Sequence, residues 1–132
     1  MIAQRTRLAV AAANIANSKT ILDDAGNVNP YKRRMVFFAP GNPGSTTAAG
    51  RALGVRVAEI REDQSVPQPS QYDPDNPFAY KSGPFKGYVA GTNVNLVWEN
   101  INALEASRAY EANVVAAEAT KTMIAQALRL LA

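Results

Sequence analysis

VNLVWENINALEASRAYEANVVAAEATKTMIAQALRLL, residues 94–131, runs without a glycine or a proline. Its apolar positions are Val94, Val97, Ile101, Leu104, Tyr110, Val114, Ala117, Ile124, Leu128 and Leu131. Nearly every step between them is three, four or a sum of these, which is the period of a helix face. The pattern predicts one helix of about 37 residues, roughly 55 Å long at a rise of ~1.5 Å per residue. A mean globular helix has about 11–12 residues.

The only other helical pattern is at the opposite end of the chain. Ile2, Leu8 and Ile15 share related faces in an alanine-rich run, predicting a helix over residues 2–17. That helix is about 24 Å long and covers less than half of the long one. An alanine-rich helix without tertiary cover is marginal in water. Packing for the remainder is therefore expected from other copies or other proteins. The many alanines in both helices allow axes to approach closely on more than one side.

"NIANSKT", residues 14–20, closes the first helix. Asn17 is expected to end it, because asparagine tolerates the left-handed conformation. Asn14 has two open roles. It terminates the helix with Asn17, or, buried against a neighbouring helix, it fixes register through an amide that must be satisfied. Asn113 is the residue expected to face it.

Between the helices the chain changes character. Residues 18–30 are rich in turn formers. "YKRRMVFF", residues 31–38, has strand composition, with Tyr31, Arg33, Met35 and Phe37 on one face. Residues 39–52 read as a flexible loop, and Leu53 to Arg61 as a second strand. Residues 65–87 hold five prolines and are expected to be extended and irregular, with a short strand at Tyr88–Val89.

Composition narrows the chemistry. The 132 residues contain no cysteine and no histidine, so disulfides, thiolate nucleophiles and the commonest zinc ligand and general base are missing. A formal charge of +3 is too small a footprint to argue for nucleic acid. "YKRRMVFF" reads better as an edge strand guarded by charge, or as a source of salt bridges between subunits through Arg33 and Arg34. Asp73, Asp75 and Asn76 suggest calcium, but the distal glutamate of a calcium loop is absent and an Asx turn fits better. Glu59, Glu62 and Asp63 are surface charge, with no pocket to make them catalytic. On the long helix, Arg108 with Glu111 and Glu118 with Lys121 stand three apart and can meet on the surface. No apolar run of about 18 residues spans a membrane. The apolar stretch after Arg7 is only about six residues, short for a cleaved signal peptide.

"NIANSKT" resembles the Asn-aliphatic-small-Asn signature near the N-terminus of flagellar rod, hook and hook-associated proteins. "SRAYEANVVAAEATKTMIAQALRL", residues 107–130, resembles the C-terminal helix of the same family. "GVRVAEIREDQSVP" at 54–67, "YDPDNPFA" at 72–79, "GYV" at 87–89 and "NVN" at 93–95 resemble its proximal-rod branch. The resemblance implies a non-enzymatic structural subunit with no cofactor. It leaves the cytoplasm through the flagellar type III export apparatus without a cleaved signal. It polymerises into the rod that crosses the periplasm and carries torque. Implied partners are itself, other rod subunits and the membrane-embedded ring at the rod base.

The expected architecture is α+β. Residues 1–30 with 92–132 form a coiled-coil-like helical assembly core, and residues 31–91 a small irregular β region between them. Segments at both ends are expected to lack cover within the chain and to order on docking. The expected assembly interface is Leu8, Asn14, Ile15, Asn17, Ile101, Leu104, Arg108, Tyr110, Asn113, Val114, Ile124 and Leu128. The alternative is a soluble helical adaptor that binds a partner helix in a groove.

Overall fold

A computed structural model describes residues 1–52 and 54–131. Helix α1 spans Ile2–Ala16, strand β1 Arg34–Pro40, helix α2 Ala48–Ala52, strand β2 Val55–Glu62 and helix α3 Leu96–Leu131. The architecture is α+β: the two terminal helices pack on each other, and a two-stranded antiparallel ribbon lies between them in sequence.

Helix α3 begins two residues later than the apolar pattern implies, and Asn95 is the reason. Its side-chain Oδ1 accepts the backbone N–H of Val97 at 3.0 Å and of Trp98 at 3.2 Å. Those donors have no partner within the helix, so an asparagine cap sets the boundary. From there α3 continues for 36 residues.

Helix α1 ends as expected at Asn17, by a different device. Asn17 has φ −96°, not a left-handed conformation. Its Nδ2 donates to the Ala13 carbonyl at 2.9 Å, and Ser18 Oγ donates to the Ile15 carbonyl at 2.8 Å. Side chains thus satisfy the last carbonyls, and no reversal of φ is needed.

The two helices run antiparallel. Asn14 of α1 contacts Glu99 of α3, while Arg7 reaches Asn102 and Glu105. Moving back along α1 therefore means moving forward along α3. The contact is close because it is built on small residues: Ala3, Ala11 and Ala106 are buried.

Strand β1 begins later than composition suggested. β1 starts at Arg34 because Arg33 is drawn into contacts with α3. The second strand was expected from Leu53, which lies outside the described residues; Val55 opens β2. Arg34 pairs with Glu62 and Phe37 with Glu59, then a bulge between Phe37 and Phe38 puts Phe38 opposite Val57. The connection is not wholly irregular, since it contains the single turn α2.

The proline-rich segment folds back on itself. Ser70 N–H donates to Val89 O at 3.1 Å and Val89 N–H to Gln71 O at 2.8 Å, while Tyr72 bridges Tyr88 and Ala79 bridges Val89. The expected strand at Tyr88–Val89 is present only as these isolated bridges. Val89, Ala90 and Gly91 are buried at this point. A Cβ on Gly91 would stand 2.2 Å from the Gln68 carbonyl oxygen, so only glycine allows the two segments this close. Gly91→Ala is expected to force that backbone apart and to cost about 1–3 kcal/mol. The check is a lowered urea midpoint, with near-wild-type far-UV circular dichroism because α1 and α3 are untouched.

Candidate assembly surface and the polar clasp at its base

The base of α3 is held by a buried polar cluster. Asn14 is fully buried and Glu99 is 2% exposed. Asn14 Nδ2 donates to Glu99 Oε2 at 2.9 Å and to the Arg34 carbonyl at 2.8 Å. Asn14 Oδ1 accepts the Arg34 N–H at 2.9 Å and the Tyr31 hydroxyl at 3.1 Å. Both ends of the amide are therefore fully used. Glu99 takes a second partner, Arg33, whose Nε donates to Oε1 at 2.7 Å. One asparagine and one glutamate thereby tie α1, β1 and α3 together.

A second brace lies alongside. Asn93 Oδ1 accepts the Arg33 N–H at 2.7 Å, and its Nδ2 donates to the Asp63 carbonyl at 3.0 Å. Thr92 Oγ1 donates to the Ser18 carbonyl at 2.6 Å. Asp63 accepts the Ser65 N–H at 2.9 Å. Hydrogen bonds from Ser65 hold its carboxyl below the usual range, with a smaller contribution from Arg33.

Tyr31 gives the clasp an alkaline limit. Burial pushes its phenol above the ordinary value, partly offset by Arg34, and Glu62 and Glu99 push it further. A raised folded-state value means that this stability is complete below the unfolded-state pKa, about 10. It is lost as pH rises through the folded value. Ionisation also removes the proton that Tyr31 donates to Asn14. The loss of stability between pH 9 and pH 11 is expected to be smaller in Tyr31→Phe than in wild type. Urea midpoints at the two pH values, set beside phenolate absorbance, check this.

The expected interface residues divide by position. Asn14 lies inside the subunit, and Leu8, Ile15 and Asn17 are half-buried around it. Asn113 does not face it: Asn113 is exposed and donates to its own Ala109 carbonyl at 2.7 Å. Glu99 fills that place. By sequence Glu99 counts with the charges that decorate the long helix, but it is buried, and a lone acid one turn into an apolar-faced helix was the signal. Arg33, for which salt bridges between subunits were one open use, is engaged by Glu99 within the chain. Among the described residues, neither Arg108 with Glu111 nor Glu118 with Lys121 forms an ion pair; Glu111 instead accepts Ser107 Oγ at 3.3 Å. Asn76 Oδ1 accepts the Phe78 N–H at 3.0 Å in an Asx turn.

Ile101, Leu104, Arg108, Tyr110, Ile124 and Leu128 are exposed, and Val114 is half-buried. Cover from α1 ends early. About 7 Å of α1 precedes Arg7, which brings its start level with about Tyr110. Every described residue from Val115 to Leu131 is exposed. The tail nevertheless carries Ile124 at 57%, Leu128 at 62% and Leu131 at 86% exposure. The opposite end is better covered than expected, because α1 lies against α3 and the ribbon and buries Ala3, Ala11 and Asn14. One buried side-chain atom of α1, Gln4 Oε1, has no hydrogen-bond partner among the described residues. Among the described residues no group of three acids, histidines or cysteines gathers to hold a metal. No described helix is long and apolar enough to cross a membrane.

Comparison with known proteins accounts for this arrangement. Residues 86–130 match the family described as flagellar basal body rod FlgEFG protein C-terminal. The chain is 41% identical over 140 residues to the flagellar basal-body rod protein FlgC of Borreliella burgdorferi, covering 99% of this chain and 90% of that one. It is 38% identical over 131 residues to FlgC of Escherichia coli O6:H1, covering 98% and 89%. Against FlgC of Salmonella typhimurium the identity is 37% with the same coverage. With a clasped helix pair, a bare helical tail and near-full-length likeness to these proteins, the chain belongs to the FlgC family of structural flagellar basal-body rod proteins.

Proposed function

We propose that this chain builds the proximal part of the rod by polymerising through its terminal helices, so that the assembled shaft crosses the periplasm and transmits torque. Residues 1–30 with 92–132 act as the assembly core, and residues 31–91 as a separate middle region. The observation that carries the reading is the 17-residue stretch of α3 from Val115 to Leu131, which carries Ile124, Leu128 and Leu131 and has no cover from the described residues. Exposed apolar surface of this extent marks an interaction site. The unpartnered Gln4 Oε1 supports it as well, since a neighbour can supply the missing donor.

Leu8, Ile15, Asn17, Ile101, Leu104, Arg108, Tyr110, Asn113, Val114, Ile124 and Leu128 then serve the interface, directly or by shaping it. Asn14 serves it from inside, by fixing where α3 points. Docking supplies the packing that the tail lacks as a monomer, which holds back premature polymerisation. Neighbours are further copies, other rod subunits and the membrane-ring protein at the rod base. Delivery is through the type III export apparatus without a cleaved signal. No step calls for a cofactor or a catalytic group.

The test is an image of intact basal bodies with and without this gene. The axle beyond the membrane ring is expected to disappear; a complete axle in the deletion strain would overturn the reading. Purification as a stable one-to-one complex with a single partner, with no larger assembly, would favour a helical adaptor.

A further inference from the structure

Residues 66–90 hold themselves together. Among the described residues, every hydrogen bond they make is with another of them. Segment 87–90 is the centre. Residues 70–73 line one edge of it, with Val89 N–H donating to Gln71 O at 2.8 Å and Asp73 N–H to Gly87 O at 2.9 Å. Residues 78–80 line the other, with Tyr80 N–H donating to Tyr88 O at 2.9 Å, Gly87 N–H to Tyr80 O at 3.0 Å and Ala90 N–H to Phe78 O at 3.2 Å. The buried residues of the unit, Gly87, Val89 and Ala90, all lie on the central segment. Tyr72 meets Tyr88 edge-on, with ring centroids 5.1 Å apart. Among the described residues, no ion pair, aromatic pair or cation–π contact joins the unit to the ribbon or to either terminal helix. Its prolines fix φ at five positions, so the unit is stiff within itself.

A narrow neck joins this unit to the rest of the molecule. The chain enters at Ser65–Val66 and leaves at Gly91–Thr92. Gly91 travels with the unit, because it lies against Gln68 and Ser70. Beneath the neck, Asn93 Nδ2 donates to the Asp63 carbonyl at 3.0 Å and to Ser65 Oγ at 3.2 Å, and Thr92 Oγ1 donates to the Ser18 carbonyl at 2.6 Å. These bonds fasten the foot of the neck to the end of the ribbon and to the end of α1, and stop short of the unit itself. An open cleft flanks each side. One, of about 450 Å³, is lined by Pro69, Ser70 and Ala90 and by Ser18, Lys19 and Ile21 after α1. The other, of about 510 Å³, is lined by Val66 and Gln68 and by Val94, Leu96 and Val97 where α3 starts.

We propose that residues 66–90 are a hinged arm, which swings as one body about Ser65–Val66 and Gly91–Thr92 while the helix pair and the ribbon stay fixed. Two units with open space between them and no hydrogen bond across it move relative to each other by default. A hinge needs only a few loop residues to absorb the change in φ and ψ, and the two strands of the neck supply them. Thr92 is the latch, since its hydroxyl ties the exit of the neck to α1. An arm that changes its angle lets one subunit meet neighbours at different distances from its helix pair. That use rests on the rod-subunit reading; the motion does not, and it is tested on the purified chain.

The native chain lacks cysteine, so pairs of introduced cysteines carry spin labels at chosen places. Ala12→Cys with Asn100→Cys reports within the helix pair, Gln71→Cys with Lys86→Cys within the arm, and Ala12→Cys with Lys86→Cys between the two. All four positions are exposed. Pulsed electron paramagnetic resonance on the full chain is expected to give one narrow distance for each of the first two pairs, and a distribution at least twice as wide for the third. A third distribution as narrow as the other two would overturn the hinge. A Gln71–Lys86 distribution as wide as the third would overturn it as well, because the unit would then be loose and not an arm. Thr92→Val, which removes the latch hydroxyl and keeps the shape of the side chain, is expected to widen or shift the third distribution and leave the first two unchanged. An unaltered third distribution in Thr92→Val would overturn the latch.

Discussion

Replacing Ile124 and Leu128 together by aspartate is expected to leave a folded, soluble subunit that no longer enters the rod. In the monomer these side chains are 57% and 62% exposed, so their loss removes little buried surface. Surface changes away from such packing usually lie within about 0.5 kcal/mol of neutral. In an assembled seam the balance differs. Burying one leucine or isoleucine contributes roughly 1.5–3 kcal/mol. Two such residues at every contact amount to several kcal/mol, each ~1.4 kcal/mol being a factor of ten in affinity. An unpaired carboxylate placed in the seam adds a desolvation cost. The measurement has two arms, a urea melt of the purified monomer and the abundance of the protein in isolated basal bodies. Unchanged abundance in basal bodies would show that the tail is not an interface.

Glu99→Ala should act in the opposite place, on the subunit before it assembles. It leaves the Arg33 guanidinium only the Asp63 carboxylate at 3.9 Å and removes one acceptor from the Asn14 amide, where the lost carboxylate was 3% exposed in its side chain. Removing one partner of a buried ion pair costs about 3–5 kcal/mol. Arg33 is 26% exposed, so water takes up part of the loss and about 3 kcal/mol is expected. Against a total stability of roughly 5–15 kcal/mol this is a large fraction. Glu99→Gln keeps an acceptor for Asn14 and loses only the charge, so its effect should be smaller. Urea unfolding followed by Trp98 fluorescence separates the two variants. Equal midpoints for wild type and Glu99→Ala would show that the clasp contributes nothing.

The long helix was legible because its signal is local. Residues 94–131 repeat one period without a breaker, and α3 follows that period almost to the residue. The shortage of cover at its far end was legible too, since it needs only the lengths of two helices and the rise per residue. Their antiparallel pairing suited this reading and left the end near Leu131 bare. Turn chemistry in "DPDN" was equally local, and Asn76 makes the Asx turn that its spacing suggests.

The clasp was not legible in this way. Asn14 was singled out, but its partners come from residues 31–34 and 99, which are 17 to 85 positions away. Spacing rules reach only about four residues along a helix and two along a strand. They could suggest Asn113 as a counterpart, and could not see that Glu99 stands there. The same limit hid the fold-back of the proline-rich segment, where Gly91 passes against Gln68. Period, composition and length thus determined the two helices, the ribbon between them and the bare tail, because each depends on neighbours along the chain. Tertiary structure alone decided which polar groups are buried together and which end of the chain stays covered, because a hydrogen bond or an ion pair is chosen by distance in space.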